Sequence, residues 1–305
     1  MELILEILHD SLSFTGPILL CTLGGLFAYK SGVINIGLEG MMLFGGFIAA
    51  FIISLTSSWV LGIIAVIIMG ILLGILFSFF GVTKKANFII TGFAINLLAI
   101  AVGKYALAII GTNDINVISN VVRERSSINI WLIKDIPYLG TILNGHSLLT
   151  YLSFILIFVL SIVLFKTKFG TYVRVVGENE EAARSLGIEV DKVKYLALIL
   201  GSILCGFAGY NVAVNQLASY TPDITAGTGF IALAAIYCGQ GNPKASGLYA
   251  LIFGLSRALA LNLALKIGSI AGLLDIIPYI MIVVVLSVVA IIRERKTLYR
   301  GFIHE

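Results

Sequence analysis

Side chains able to do acid–base, nucleophilic or metal chemistry are few and scattered. His9, His146 and His304 lie near the chain ends or in a polar stretch, so they neither cluster at metal-ligand spacing nor flank a serine or cysteine as a base would. Cys21, Cys205 and Cys238 each sit in an apolar run and read as small buried hydrophobes. Glu39 and Asp275 belong to different apolar segments and form no hydrolytic dyad by spacing. A phosphate-binding G-x-x-x-x-G-K-[ST] loop is absent, because the only Gly-Lys pair, Gly103-Lys104, runs into Tyr105 inside an apolar run. What remains is a set of amides and hydroxyls in apolar surroundings: Asn35, Thr91, Asn96, Asn215 and Thr228, with Phe93 and Phe230 as rings able to stack on a flat solute. A buried amide is costly unless it bonds to a neighbouring helix, to water or to a solute. That chemistry is recognition and passage, not bond making, and Asn96 and Asn35 are the foremost candidates.

The elements that must position these residues follow from composition. Of 305 residues, 59% are hydrophobic and 12% charged, against about 25% charged in a soluble domain. A surplus of four positive charges is too dilute for a nucleic-acid footprint. About 20 apolar residues cover the roughly 30 Å hydrocarbon core. Nine stretches approach that length, at 11–29, 36–56, 59–81, 87–111, 147–165, 195–215, 225–241, 245–266 and 268–292, the seventh being short. The expected fold is an all-α polytopic membrane protein with broken or half helices, forming a single permease domain over 1–305.

Lys and Arg set the orientation, since cytoplasmic loops carry their excess. Fourteen fall on one side and three on the other, which puts the amino terminus outside and the carboxyl terminus in the cytoplasm. With no basic leader and no small-residue cleavage site, the first span is expected to be a retained helix. The stretch 112–146 becomes an extracellular loop holding Trp131 and a short interfacial helix, and 166–194 a cytoplasmic one. Arg257 and Asp275, on consecutive spans at matching depths, are expected to form an ion pair.

Two Gly-rich interruptions mark the path, because irregular backbone is tolerated in a membrane only beside protein or a cavity. One is Ser31-Gly32-Val33-Ile34-Asn35-Ile36-Gly37-Leu38-Glu39-Gly40; the other is Thr225-Ala226-Gly227-Thr228-Gly229. Asn35 and Glu39 give the first its polar groups.

The cytoplasmic loop reads Gly177-Glu178-Asn179-Glu180-Glu181-Ala182-Ala183-Arg184-Ser185-Leu186-Gly187-Ile188. Small Ala182 and Ala183 permit close docking, while Gly177 and Gly187 turn the chain into and out of a short helix. This G-x-N-x-x-A-A-x-x-x-G-I pattern resembles the coupling loop of permeases of bacterial ABC importers for branched-chain amino acids, ribose-type sugars and nucleosides. The Ser31–Met42 stretch, Gly227–Ala235 and Pro278-Tyr279 resemble the shorter permease of nucleoside importers. The resemblance implies an inner-membrane protein in which Gly177, Glu178, Asn179, Glu181, Ala182, Ala183, Gly187 and Ile188 contact an ATPase. It also implies a second, longer permease subunit, an ATP-binding subunit that uses ATP and Mg, and an extracellular lipoprotein that delivers the nucleoside, with no cofactor bound by this chain. The competing readings are an ion-coupled secondary transporter using Glu39 or Asp275, and an ABC permease for a simple sugar or branched-chain amino acid.

Overall fold

The computed structural model describes residues 2–117, 138–267, 271–274 and 276–301. Asp275, His304 and residues 118–137 with Trp131 lie outside the described residues, and with them the expected Arg257–Asp275 pair and the greater part of the 112–146 loop.

The chain is helical. In order come α1 (Glu2–Lys30), α2 (Leu38–Thr56), α3 (Trp59–Ser78), α4 (Phe88–Ile110), a short α5 (Leu139–Leu143), α6 (Leu148–Lys166), α7 (Lys168–Glu178), α8 (Glu180–Ser185) and α9 (Val190–Tyr210). They are followed by α10 (Thr228–Cys238), α11 (Pro243–Ile267), α12 (Ala271–Leu274) and α13 (Ile277–Gly301). Side-chain caps start several of them, each accepting an otherwise orphaned backbone N–H. The Asn87 Oδ1 accepts from Ile89 at 2.8 Å, and the Thr167 Oγ1 from Gly170 at 3.1 Å.

Among the described residues seven helices are long and apolar enough to cross a membrane, and Thr228–Cys238 and Ile277–Ile292 are shorter apolar helices. The expected segment 225–241 is thus an eleven-residue helix. Its start is fixed because Ala226 (φ 44°) and Gly227 (φ 76°) are both left-handed, a conformation that no right-handed helix continues. The expected segment 268–292 is divided: α12 stands before the turn and α13 begins at Ile277.

At the centre α9 packs on α1, α2 and α3, and α1 also packs on α11. Contacts between backbones replace side-chain packing there: a Cβ on Gly209 would lie 1.8 Å from the Met42 carbonyl oxygen, and one on Gly45 2.3 Å from that of Gly206. Small residues at such crossings let dispersion contacts accumulate in a medium as apolar as the helices. Both α3 and α9 end in a π-helical turn, Phe79–Thr83 and Asn211–Gln216. The segments that follow α4 and the π turn after α9 are tied by a two-residue antiparallel ladder, Ile115 opposite Tyr220 and Asn116 opposite Ser219.

Candidate functional site

A cavity of about 660 Å³ lies among the amino-terminal half of α1, the starts of α6 and α13, the end of α9, α10 and α11. The π turn Asn211–Gln216 presents Asn215 and Gln216 to it. Asn211 holds that turn: its Oδ1 accepts from Ser147 Oγ at 2.8 Å and from Asn215 Nδ2 at 3.0 Å, and its Nδ2 donates to Thr150 Oγ1 at 3.3 Å. Gln216 Nε2 donates to the Ser13 carbonyl at 2.6 Å, joining α9 to α1.

Charge enters the wall at Asp10 and Arg257, and the buried His146 also lines it. Asn262 Nδ2 donates to Asp10 Oδ2 at 2.8 Å. His146 Nε2–H donates to the Ile142 carbonyl at 2.8 Å, which leaves Nδ1 to accept from the Ser13 hydroxyl at 2.9 Å in the neutral ring. Burial pushes the His146 imidazole below its ordinary range, and His9, stacked on it with centroids 4.3 Å apart, adds to the effect; the Ile142 carbonyl and Asp10 oppose it. The Arg257 guanidinium stands 5.7 Å from the Phe14 ring centroid, a cation–π contact of about 0.5–2 kcal/mol. Its Nη1 donates to Thr228 Oγ1 at 2.5 Å.

The floor is the amino-terminal end of α10, where the two Gly-rich interruptions meet. Glu39, in the first turn of α2, accepts from Thr225 Oγ1 at 2.6 Å and from the Gly227 N–H at 2.9 Å through Oε1, and from the Gly229 N–H at 2.5 Å through Oε2. Hydrogen bonds to a charged acceptor contribute about 1.5–3 kcal/mol each, and an anion at a helix amino terminus also meets the positive end of the macrodipole. The Cβ that Gly229 lacks would fall 2.5 Å from the Glu39 nitrogen, so only glycine permits the approach. Tyr279 Oη donates to the Ala226 carbonyl at 3.1 Å from the cavity side. At its other end α10 closes on the end of α1, where Lys30 Nζ donates to the Gln240 carbonyl at 3.3 Å. Eleven residues rise only about 16 Å, about half of what a hydrocarbon core requires of a spanning helix.

The residues expected along the path are therefore divided. Asn215 and Thr228 line the cavity. Asn35 and Asn96 lie at the first interruption: Asn35 Oδ1 accepts from the Gly37 N–H at 2.9 Å, while Asn96 accepts from the Gly40 N–H at 2.7 Å and donates to the Ile36 carbonyl at 3.1 Å. Thr91 is buried and donates to the Asn87 carbonyl within α4 at 3.0 Å. Phe93 and Phe230 are exposed on the outer faces of α4 and α10. Asp10, Phe14, His146 and Tyr279 stand at the cavity without having been singled out for it. No sequence signal marks the first three: Asp10 and Phe14 sit near the start of one apolar run and His146 just before another, far along the chain; Tyr279 stands out only as an aromatic after Pro278.

In the 166–194 loop Gly177 and Glu178 end α7, and Asn179 caps α8 by accepting from the Ala182 N–H at 3.0 Å. Ala183 is fully buried against this chain, whereas Glu181, Ala182 and Gly187 (φ 76°) are exposed and Ile188 is half-buried. Lys194 pairs with Glu180 and Arg184 with Asp191, the latter at 2.7 Å, bracing α8 on the start of α9. Leu186 is 74% exposed, an apolar knob on a polar surface.

Residues 7–286 match the family of the branched-chain amino acid transport system permease component. The chain belongs to that family. The permease is 32% identical over 299 residues to the nucleoside ABC transporter permease protein NupC of Lactococcus lactis, covering 92% of this chain and 91% of that one. It is 31% identical over 287 residues to the guanosine ABC transporter permease protein NupQ of Bacillus subtilis, with 91% and 87% covered. The ribose import permease protein RbsC of Escherichia coli is 32% identical over 136 residues, 44% of this chain and 41% of RbsC. No solved structure matches the permease. Family and apolar helices together make it an integral membrane translocation component of an ABC importer.

Proposed function

We propose that this permease is the shorter membrane subunit of a nucleoside importer, working beside a second, longer permease, an ATP-binding subunit that hydrolyses ATP with Mg, and an external lipoprotein that delivers the nucleoside. The observation that carries the reading is the cavity: about 660 Å³ exceeds the volume of one nucleoside, and its wall combines amides, hydroxyls and aromatic faces. One carboxylate and one guanidinium in that wall balance each other, which suits a neutral solute better than a nucleotide. Kinship with NupC and NupQ supports the same substrate class.

In this reading the whole chain is one permease domain, the amino terminus and the 112–146 loop lie outside, and the carboxyl terminus and the 166–194 loop lie in the cytoplasm. The loop docks on the ATPase through Gly177 to Ile188, with Leu186 and Ala182 as the contacting apolar surface. ATP is bound by the partner. An ion-coupled carrier would need an intramembrane carboxylate free to exchange a proton or ion; both oxygens of Glu39 are engaged by α10, which weighs against it in that role.

The test is uptake of labelled guanosine and uridine into proteoliposomes. The purified complex with ATP and the loaded binding protein is expected to accumulate nucleoside, and this chain alone under a proton or sodium gradient is not. Gradient-driven uptake by the chain alone would overturn the reading.

A further inference from the structure

Between the cytoplasmic loop and the cavity runs an unbroken series of close backbone contacts that ends on one side chain. At the end of α7, a Cβ on Gly177 would lie 2.1 Å from the Lys30 carbonyl oxygen and 2.9 Å from the Gly32 nitrogen, so the loop rests directly on the first interruption. Gly32 takes φ 77°, which turns the chain back from the end of α1. The returning strand, residues 31–37, is gripped by α4: a Cβ on Gly92 would sit 2.7 Å from the Gly37 nitrogen, and Asn96 bonds the backbone of both Ile36 and Gly40. One residue before Gly40 stands Glu39, whose two oxygens take three donors from the start of α10. On the far side of that turn Ala226 and Thr228 line the cavity.

The two ends of this series differ in stiffness. The neutral amide of Asn96 holds Ile36 and Gly40 to α4, and that of Asn35 braces the segment on itself. The α10 start has Ala226 at φ 44°, a conformation unfavourable for a residue with a Cβ and kept only while its surroundings impose it. Glu39 imposes it from below and Tyr279 from the cavity side. Allosteric coupling requires an element with two arrangements, and withdrawal of the carboxylate would leave this turn free to take a second one.

We propose that Glu39 is a positioning residue for transport: it latches the floor of the cavity while the coupling loop presses on residues 31–37, and movement of that loop withdraws it from α10 and opens the floor. The proposal rests on the importer reading above. A carboxylate is needed because all three partners are donors; glutamine keeps one acceptor oxygen but turns an N–H toward another N–H.

The experiment uses the complete importer, purified through a tag on this chain and placed in lipid nanodiscs with its binding protein. ATP hydrolysis is measured with and without guanosine and uridine. If the unaltered complex shows no nucleoside stimulation, the importer reading itself fails. With stimulation established, Glu39→Gln is expected to lower the ratio of stimulated to unstimulated hydrolysis by about tenfold, within the roughly 5–150-fold span of ordinary coupling free energies, and uptake by a similar factor. A native ratio and native uptake in an assembled Glu39→Gln complex would overturn the latch. Should that complex not assemble, Thr225→Val decides, since it removes one donor and leaves the carboxylate in place: a reduced ratio supports the latch, and a native ratio overturns it. Glu39→Asp, which retains the charge, is expected to restore part of the ratio; no recovery relative to glutamine would count against the need for a carboxylate.

Discussion

The two Gly-rich interruptions are alike in composition and different in how they are held. Residues 31–37 are fastened by neutral amides, Asn35 within the segment and Asn96 from α4. The start of α10 is fastened by a carboxylate from another helix, over a left-handed alanine. Both satisfy backbone groups that hydrocarbon cannot. The difference lies in what is stored: amide bonds fix a shape, whereas a charge against a strained turn makes a shape that a small displacement of the charge undoes.

The comparison is most severely tested by adding bulk where backbones touch. Gly92→Leu and Gly229→Leu each drive a side chain into backbone, at 2.7 Å from the Gly37 nitrogen and 2.5 Å from the Glu39 nitrogen respectively. Each is expected to destabilise by at least about 1–3 kcal/mol, the usual range for overpacking, and to cut the yield of folded protein after solubilisation. Native yield of either would mean that the helices do not meet there.

Next in size is Asn96→Leu, which leaves the Gly40 N–H and the Ile36 carbonyl unpaired, at about 1–3 kcal/mol each. Thermal unfolding should fall clearly, with transport retained by whatever remains folded. Asn215→Leu sharpens the contrast, since its cavity position predicts the reverse: stability close to native and uptake strongly reduced. A loss of uptake at native stability in Asn96→Leu would move that residue into the path.

A smaller effect is expected at the loop proposed to dock on the ATPase. Leu186→Ala should leave the fold intact and weaken association with the ATPase by up to about 1.5–3 kcal/mol, the gain from burying such a side chain. Ala182→Trp should do the same by bulk, whereas Ala183→Trp should first damage this chain, because Ala183 is packed within it. Equal retention of folded yield in the two tryptophan variants would contradict that placement.

The smallest expected effect is on pH. Burial lowers the pKa of His146 below its unfolded value of 6.5, so the unfolded chain binds the proton more readily. Stability contributed by the neutral ring is complete above about pH 6.5 and is lost as pH falls through the lower folded value, with a slope of at most about 1.4 kcal/mol per pH unit. The groups around the ring are His9, Asp10, Ser13 and Tyr151. Thermal scans between pH 7.5 and 5 should show a decline that His146→Gln flattens; an unchanged decline would assign it elsewhere.

Much of this arrangement was legible in residue order. Long apolar runs gave seven of the membrane helices because hydrocarbon length and helix rise leave little choice, and glycines at 32, 37, 227 and 229 marked both interruptions. The eleven-residue length of α10 was not readable, since it depends on a left-handed Ala226 that no residue type advertises. The cavity was hidden for a different reason: it is assembled from the ends of six helices, and Asp10 and His146 look like ordinary solvated residues until α1 and α6 are brought together. Asn96 shows the converse, a buried amide whose polar groups are met by backbone and not by a cavity.

The proposed importer requires a cavity open to the outside with its floor closed where the interruptions meet. The direct measurement is the reaction of single introduced cysteines, Asn215→Cys and Asn96→Cys, with a membrane-impermeant thiol reagent applied to intact cells, the native Cys21, Cys205 and Cys238 being buried. Asn215→Cys is expected to be labelled from outside and Asn96→Cys to be protected. Labelling of Asn96→Cys from outside, or of Asn215→Cys only after the membrane is permeabilised, would contradict it.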